Sequence, residues 1–487
     1  MKKTTLLTAT FLAALFSFSA AQQPAKPTQT TQPWQKIPIP PLHDFKPVQP
    51  TRIQLENGLV IFLQEDHELP FVNGTILIRG GSRNEPAEKV GLVSLYGEAW
   101  RTSGTKTTSG DQLDTVLANK AASLETGGGL ATTTLSWSSF KQDFDQVFGL
   151  ATDLLEHPDF KTDKLALGKQ QMDTGVSRRN DDASGIAGRE AELIAYGKTS
   201  PYAREDEYAT IAAVQLTDLQ AWHDRTVVPN NMIVEVSGDF DAATMEAKLR
   251  KAFGGMKPGK VEAAPTVTFT DPKPGVFYVD KNDVDQSNVY IVGLGTERSN
   301  PDYYALSVMN EVFSGGFGSR VFQSVRTRLG LAYGVSGNYG ASYDHPGLFV
   351  VQAATKSAST VAATKAMLDE IGKLKTVPPS PEELRSAKDQ VLNSFIFHYD
   401  SREKTLGEQV VLGLYGYPTD FLEKYKNGIE KVTSADVERV ANKYVDAKKL
   451  AIVVVGNTSE FGTPLTELGP TTKLDIAIPP PPAGSKE

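Results

Sequence analysis

The strongest constraint on this chain is a pair of stretches that overlay without a gap. VQLTDLQAWHDRTVVPNNMIVEVSGD at 214–239 lies over VTSADVERVANKYVDAKKLAIVVVGN at 432–457, an offset of 218 residues. Val214, Asp218, Val227 and Gly238 match Val432, Asp436, Val445 and Gly456. The apolar spacing reads helix and then strand in both copies. This period is too long for a solenoid. It divides the chain into two halves of about 210 residues, each with strands first and helices after. The expected fold class is α+β: two homologous domains, each a mainly antiparallel sheet with helices packed on it, forming a clamshell half.

Composition closes several routes. The 487 residues carry a net charge of -8 and show no basic stripe, which argues against nucleic acid as a partner. Without cysteine there is no disulfide, thiol nucleophile or thiolate zinc site. Lys2 and Lys3, the apolar run from Leu6 to Phe18 and the small residues Ser19-Ala20-Ala21 read as a signal peptide over 1–21. The expectation is an exported protein, periplasmic or secreted, with no membrane span after cleavage.

Residues 22–50 read as a disordered Pro/Gln-rich leader, 51–255 as an N-terminal domain and 256–272 as a linker. Residues 273–460 then form a C-terminal domain and 461–487 a Pro-rich tail. A hairpin turns through Asn57-Gly58, and a strand follows at Phe71–Arg79. Helices are predicted at Lys89–Trp100, Thr108–Leu124, Lys141–Leu155 and Lys161–Arg179, with strands flanking Gly127-Gly128-Gly129. The second half predicts strands at Gly275–Tyr278, Asn288–Gly293 and Leu348–Ala353, a helix at Asp302–Phe313, and further helices to Lys443.

Between them, GGFGSRVFQSVRTRLGLAYGVSGNYG at 315–340 reads as a glycine loop, a short helix and a strand. Ser319 suits an N-cap, Val321, Phe322, Val325 and Leu329 fall on one face, and Gly330 suits the residue after the last turn. In the strand, Tyr333, Val335 and Tyr339 point one way and the small residues Ala332, Gly334, Ser336 and Asn338 the other.

The two-domain repeat, opening with TRIQLENGLVIFLQED, resembles the pitrilysin/insulinase-type metallopeptidase family, including the mitochondrial processing peptidases. Gly80-Gly81-Ser82-Arg83-Asn84-Glu85-Pro86, Gly91-Leu92 and Gly104-Thr105 frame the segment where that family carries its zinc site. There a helix bears H-x-x-E-H: two histidines one turn apart hold the metal, and the glutamate takes a proton from its water. This chain has Ser94, Gly97 and Glu98 at those three positions, and Asp173 is the only carboxylate near the place of the third ligand. The resemblance therefore implies no metal in this chain, with zinc on a partner subunit. Arg326 and Tyr333, seven residues apart, match the family's substrate-contacting pair, which implies a catalytic role in trans, with Gly315 and Gly316 as substrate-binding glycines.

A displaced metal site is tested by counting. The six histidines are His43, His67, His157, His223, His345 and His398, and no two lie within five residues. Each reads as a surface or loop residue rather than a ligand, and His223, opposite Ala441 in the repeated helix, also suits a structural role. Gly127-Gly128-Gly129 lacks the features of a phosphate loop, Ser319 and Ser336 lack a base, and Asp181-Asp182 reads as a solvated turn. The expectation is a zinc-less subunit that pairs with a homologous H-x-x-E-H chain and encloses an unfolded peptide. The alternative is a non-catalytic scaffold or peptide-binding protein of the same fold, and a third, minor possibility is a remodelled metal site using Glu98.

Overall fold

The computed structural model describes residues 47–483, so the expected signal peptide and nearly all of the expected leader lie outside the described residues. The first sheet holds β1 (Thr51–Gln54), β2 (Val60–Glu65), β3 (Phe71–Arg79), β4 (Ser123–Gly128), β5 (Thr132–Phe140) and β6 (Met232–Gly238). The second holds β7 (Gly275–Asp280), β8 (Gln286–Leu294), β9 (Thr296–Glu297), β10 (Ala332–Ser342), β11 (Pro346–Lys356), β12 (Ala451–Gly456) and β13 (Thr471–Lys473). The first half contributes α1 (Leu92–Ser103), α2 (Gly110–Asn119), α3 (Phe144–Glu156), α4 (Thr162–Arg178), α5 (Ala183–Tyr196), α6 (Tyr208–Ala213), α7 (Leu216–Thr226) and α8 (Ala242–Phe253). The second half contributes α9 (Tyr303–Ser314), α10 (Thr360–Thr376), α11 (Pro381–Phe395), α12 (Arg402–Tyr415), α13 (Phe421–Lys431) and α14 (Ser434–Tyr444).

The strand orders are β1-β2-β6-β3-β5-β4 and β13-β7-β12-β8-β11-β10-β9. Without the outer strands, β2-β6-β3-β5-β4 corresponds strand for strand to β7-β12-β8-β11-β10. The sequence repeat falls on α7–β6 and α14–β12, the unit that inserts the most buried strand of each sheet. Both sheets are mixed: β2–β6 is parallel in the first, and β7–β12, β13–β7 and β9–β10 in the second. The α+β class and the two related domains stand.

Each half covers the other's sheet. From the first half, α5 lies on β8 and β12, where Ile186, Ala187 and Ala191 share buried clusters with Val292, Val453 and Val455. From the second half, α12 lies on β6 and β2, where Leu406 and Val410 pack with Phe62 and Ile233. Full burial of such a side chain contributes about 1.5–3 kcal/mol, so neither sheet is complete alone. Polar contacts fix the crossing. Arg83 pairs with Asp344 at 2.7 Å, Tyr196 donates to the Pro346 carbonyl at 2.8 Å, and the His345 ring stacks on Tyr202.

The expectations around Leu124 and the glycines after it are corrected. The helix predicted to Leu124 ends at Asn119; Ala121 adopts φ 48°, and Leu124 turns into the core as part of β4. Gly127 and Gly128 belong to that strand rather than to a loop. The segment after 460 is anchored: Leu465 joins the second core and β13 pairs with β7. Apolar contacts outweigh its proline content there. No described helix is long and apolar enough to cross a membrane.

Arg83 is 8% exposed. Arg83→Met keeps the stem and leaves Asp344 facing only His345, which should lower stability by about 2 kcal/mol. Urea denaturation reads this directly, and an unchanged midpoint contradicts the bridging role.

Candidate functional site

The site expected on α1 begins with its cap. Gly91 takes φ +101°, and the buried Glu85 carboxylate accepts from the Gly91 and Val93 N–H groups at 3.1 and 3.0 Å. A carboxylate at a helix N-terminus is favoured by the dipole, yet burial pushes the Glu85 pKa up to about 7. The helix then presents Ser94 to solvent and Glu98 half-buried, one turn apart. Gly97 is buried, and a Cβ there would lie 2.6 Å from Gly128 N and 2.8 Å from Gly127 C. Conversely, a Cβ on Gly128 would strike the Val93 carbonyl. The position that the resemblance aligns with the general base lies against the backbone of β4.

The side chain that meets Glu98 from α4 is Gln171, not Asp173. Its amide, in the orientation that satisfies both ends, donates to the two Glu98 carboxylate oxygens at 2.5 and 3.2 Å. Asp173 instead has Lys169 and Asp206 as charged neighbours, and burial raises its pKa. Gln171 and Asp173 are two residues apart and so point to nearly opposite sides of α4, a choice that spacing alone does not resolve. Among the described residues, no group of three or more His, Cys, Asp or Glu side chains could hold a metal ion.

His223 departs from the expected surface placement. It is buried in α7, with Nε2 3.0 Å from the Leu155 carbonyl and Nδ1 2.9 Å from the Tyr96 hydroxyl. A carbonyl only accepts, so Nε2 carries the proton and Nδ1 accepts from Tyr96. Trp100 and Phe160 complete the cluster, and burial pushes the His223 pKa down to about 4. Of the other described histidines, His67, His157 and His345 face Asp239, Asp153 and Asp344, and His398 lies 3.8 Å from Glu408.

In the second half, 322–328 form a π-helix, with Leu329 N–H donating to the Ser324 carbonyl five residues back. The wider turn keeps Val321 and Val325 buried and rotates Leu329 out of their face. Ser319 sits at the start of the helix, but its hydroxyl donates back to the Gly316 carbonyl at 2.7 Å instead of capping. Gly330 has φ +64°, as the turn into β10 requires.

The strand is also corrected. Ala332 pairs with Thr355 and Gly334 with Ala354, which makes Tyr333 the extra residue of a β-bulge. The bulge moves Tyr333 off the face of Val335 and Tyr339. It is 84% exposed, while those two are buried. This brings Tyr333 to Arg326, whose guanidinium carbon lies 4.8 Å from the Tyr333 ring centroid and 4.9 Å from that of Phe322. Each contact contributes about 0.5–1 kcal/mol. Among the described residues Arg326 makes no hydrogen bond or ion pair, so its N–H groups are free.

Arg326 and Tyr333 line an open cavity of about 420 Å³ with Phe317, Tyr290, Gln352 and, from the first half, Ser184. No α1 residue lines it, so the cavity does not unite the pair with Ser94 or Glu98. Gly315 ends α9 with Glu311 folded against it, and Gly316 turns at φ +82°.

A duplicated sheet-and-helix scaffold, with an arginine in its second half that is unpaired among the described residues, has the architecture of an insulinase-type fold. Residues 60–187 match the family model "Insulinase (Peptidase family M16)", and residues 213–391 match "Peptidase M16 inactive domain". The chain belongs to the insulinase family of peptidases. It is 23% identical over 404 residues to the "Non-peptidase homolog YmxG" of Helicobacter pylori, covering 82% of this chain and 91% of that protein. An "Uncharacterized zinc protease" of Rickettsia felis is 22% identical over 83% of this chain and 97% of its own length. A crystal structure of a peptidase M16 inactive domain from Pseudomonas fluorescens shares the fold, with TM-score 0.77 and 23% identity over 86% of this chain and 100% of that one.

Sequence reasoning missed the Gly97–Gly128 contact and the Glu85 cap. Spacing carried a signal for the contact: two chain-adjacent glycines where a strand should hold bulk mark a close backbone approach.

Gly97→Ala should destabilise by about 2 kcal/mol, because backbone on both sides cannot yield. The triple reversal S94H/G97E/E98H should melt lower still and bind no stoichiometric zinc by metal analysis. Stoichiometric zinc contradicts the filled site. His223 gives a pH signature. Its folded pKa lies below the unfolded 6.5, so stability is full above pH 6.5 and falls as the pH drops towards 4. In His223→Gln, denaturation midpoints at pH 7 and pH 5 should lose this one-proton part of the slope.

Proposed function

We propose that this chain is the non-zinc-binding subunit of a heterodimeric pitrilysin-like metalloendopeptidase. It pairs with a homologous H-x-x-E-H subunit and lends Arg326 and Tyr333 to peptide-bond hydrolysis in that subunit's site. The observation that carries this reading is the free guanidinium of Arg326, stacked against Phe322 and Tyr333 with no partner of its own among the described residues. A charged donor held in place costs no reorganisation when a carbonyl oxygen beside it becomes an oxyanion. Removing one such donor typically costs about 3–4 kcal/mol of transition-state stabilisation.

Arg326 and the Tyr333 hydroxyl would orient the substrate carbonyl, and zinc bound in the partner would supply the activated water. Gly315 and Gly316 would leave room for the peptide backbone beside the turn. In this reading 51–255 and 273–460 act as the two peptidase-like domains, joined by 256–272, and the chain works after export, in the periplasm or outside the cell.

A second reading is a non-catalytic peptide-binding or structural scaffold. The Helicobacter relative's description as a non-peptidase homolog supports it.

Co-expression with an H-x-x-E-H homologue separates the two. On the purified pair, Arg326→Ala should lower kcat/KM about 100-fold and Tyr333→Phe about tenfold. A stable pair whose hydrolysis is untouched by either substitution removes the catalytic role and leaves the scaffold.

A further inference from the structure

The duplication has a counterpart for the filled site. Adding 213 to the numbers of Ser94, Gly97 and Glu98 leads to Ser307, Asn310 and Glu311 on α9. The buried positions of the two helices agree under the same offset, from Leu92 against Ala305 to Trp100 against Phe313. Both helices also lie on the equivalent strand, α1 on β4 and α9 on β10.

The contact is built differently the second time. Where α1 meets its strand through glycine, α9 does so through side chains. Asn310 donates to the Tyr339 carbonyl at 3.0 Å and accepts from its N–H at 2.6 Å, and the Ser314 hydroxyl accepts from Gly337 N–H at 2.5 Å. Beside this contact lies an open cavity of about 370 Å³, and Ser307, Asn310 and Glu311 all line it. Its walls are aromatic: Tyr303, Tyr339, Phe395, Tyr399, Phe421 and Tyr425.

Three polar groups in it, the side chains of Glu311, Tyr399 and Glu408, make no hydrogen bond among the described residues. Among the described residues neither Glu311 carboxylate oxygen has a hydrogen-bond partner: one is sealed against Gly315, and the other is left for the cavity. The Tyr399 hydroxyl, on a side chain 3% exposed, is likewise unpartnered. Glu408 faces only His398, at 3.8 Å. The one guanidinium, Arg298, is turned away onto Tyr343: it lies 4.0 Å from the ring centroid and donates to the hydroxyl at 2.7 Å. Aromatic faces carry negative charge density, and buried carboxylates disfavour a second anion.

We propose that this cavity binds an alkylammonium or guanidinium group, presented as the lysine or arginine side chain of a peptide. Glu311 and the Tyr399 hydroxyl accept its N–H groups, and the rings enclose its charge. The peptide as the source rests on the proposed function; the preference for a cation rests on the cavity alone. Burial raises the Glu311 pKa, and a bound cation offsets that cost.

Titration calorimetry on the full chain, without any partner, tests this with capped pentapeptides Ala-Ala-X-Ala-Ala and with n-butylammonium. With X as lysine or arginine, binding should be at least about tenfold tighter than with norleucine, and n-butylammonium should compete. Glu311→Gln should erase the preference and Tyr399→Phe should weaken it about threefold, with unfolding midpoints checked for both. Equal binding of the norleucine peptide together with no binding of n-butylammonium, tighter binding of a glutamate peptide, or a preference that survives Glu311→Gln overturns the proposal. If n-butylammonium binds and the peptides show no preference, the peptide occupant is overturned and the cation site stands. Arg326→Ala should leave the preference intact whatever becomes of the partner reading; its loss would place binding at the other cavity and overturn this one.

Discussion

A helix laid against one strand of a sheet, α1 on β4 and α9 on β10, organises this protein, and the chain makes that contact twice. In the first half, α1 comes so close to β4 that Gly97 and Gly128 touch backbone to backbone. No side chain fits at Gly97, which is where the family's chemistry needs a carboxylate. In this chain the backbone of β4 occupies that place. In the second half, the equivalent helix meets its strand through Asn310 and Ser314, and a cavity lies beside the contact. One piece of topology thus yields a sealed site and an open one, and the difference lies in a few side chains.

The same architecture places the stacked arginine. Because α5 crosses onto the second sheet and α12 onto the first, the two halves are tied through buried apolar clusters and the Arg83–Asp344 pair. Ser184 of α5 reaches the cavity of Arg326 in this way. A π-helix and a bulge, each a local departure from regular structure, bring Arg326 and Tyr333 together. The π-turn keeps Val321 and Val325 in the core while it turns Leu329 out, and the bulge turns Tyr333 out. Local irregularity that lowers burial and aligns two polar side chains is what a binding site asks of a scaffold.

Much of this was legible in the residues. The 218-residue offset located α7–β6 and α14–β12, because both stretches keep their apolar spacing without insertion. The missing histidines and the seven-residue step from Arg326 to Tyr333 were also plain. The bulge was not, since strict alternation assigns Tyr333 to the face of Val335 and only pairing with β11 shows the extra residue. The correspondence of Glu98 with Glu311 was hidden for a different reason. It runs at an offset of 213 and the later repeat at 218, so no single overlay shows both. His223 was misplaced because a polar ring in an amphipathic helix reads as solvated until its two partners, Tyr96 and Leu155, are brought to it by the fold.

The central claim is that the exposed pair faces a peptide held by another chain. The most direct measurement is photo-crosslinking from Tyr333→p-benzoylphenylalanine in a complex with an H-x-x-E-H homologue stalled on a peptide. The account predicts adducts on peptide residues flanking the bond to be cleaved. Adducts confined to this chain, or to surfaces of the homologue remote from its metal helix, would contradict it.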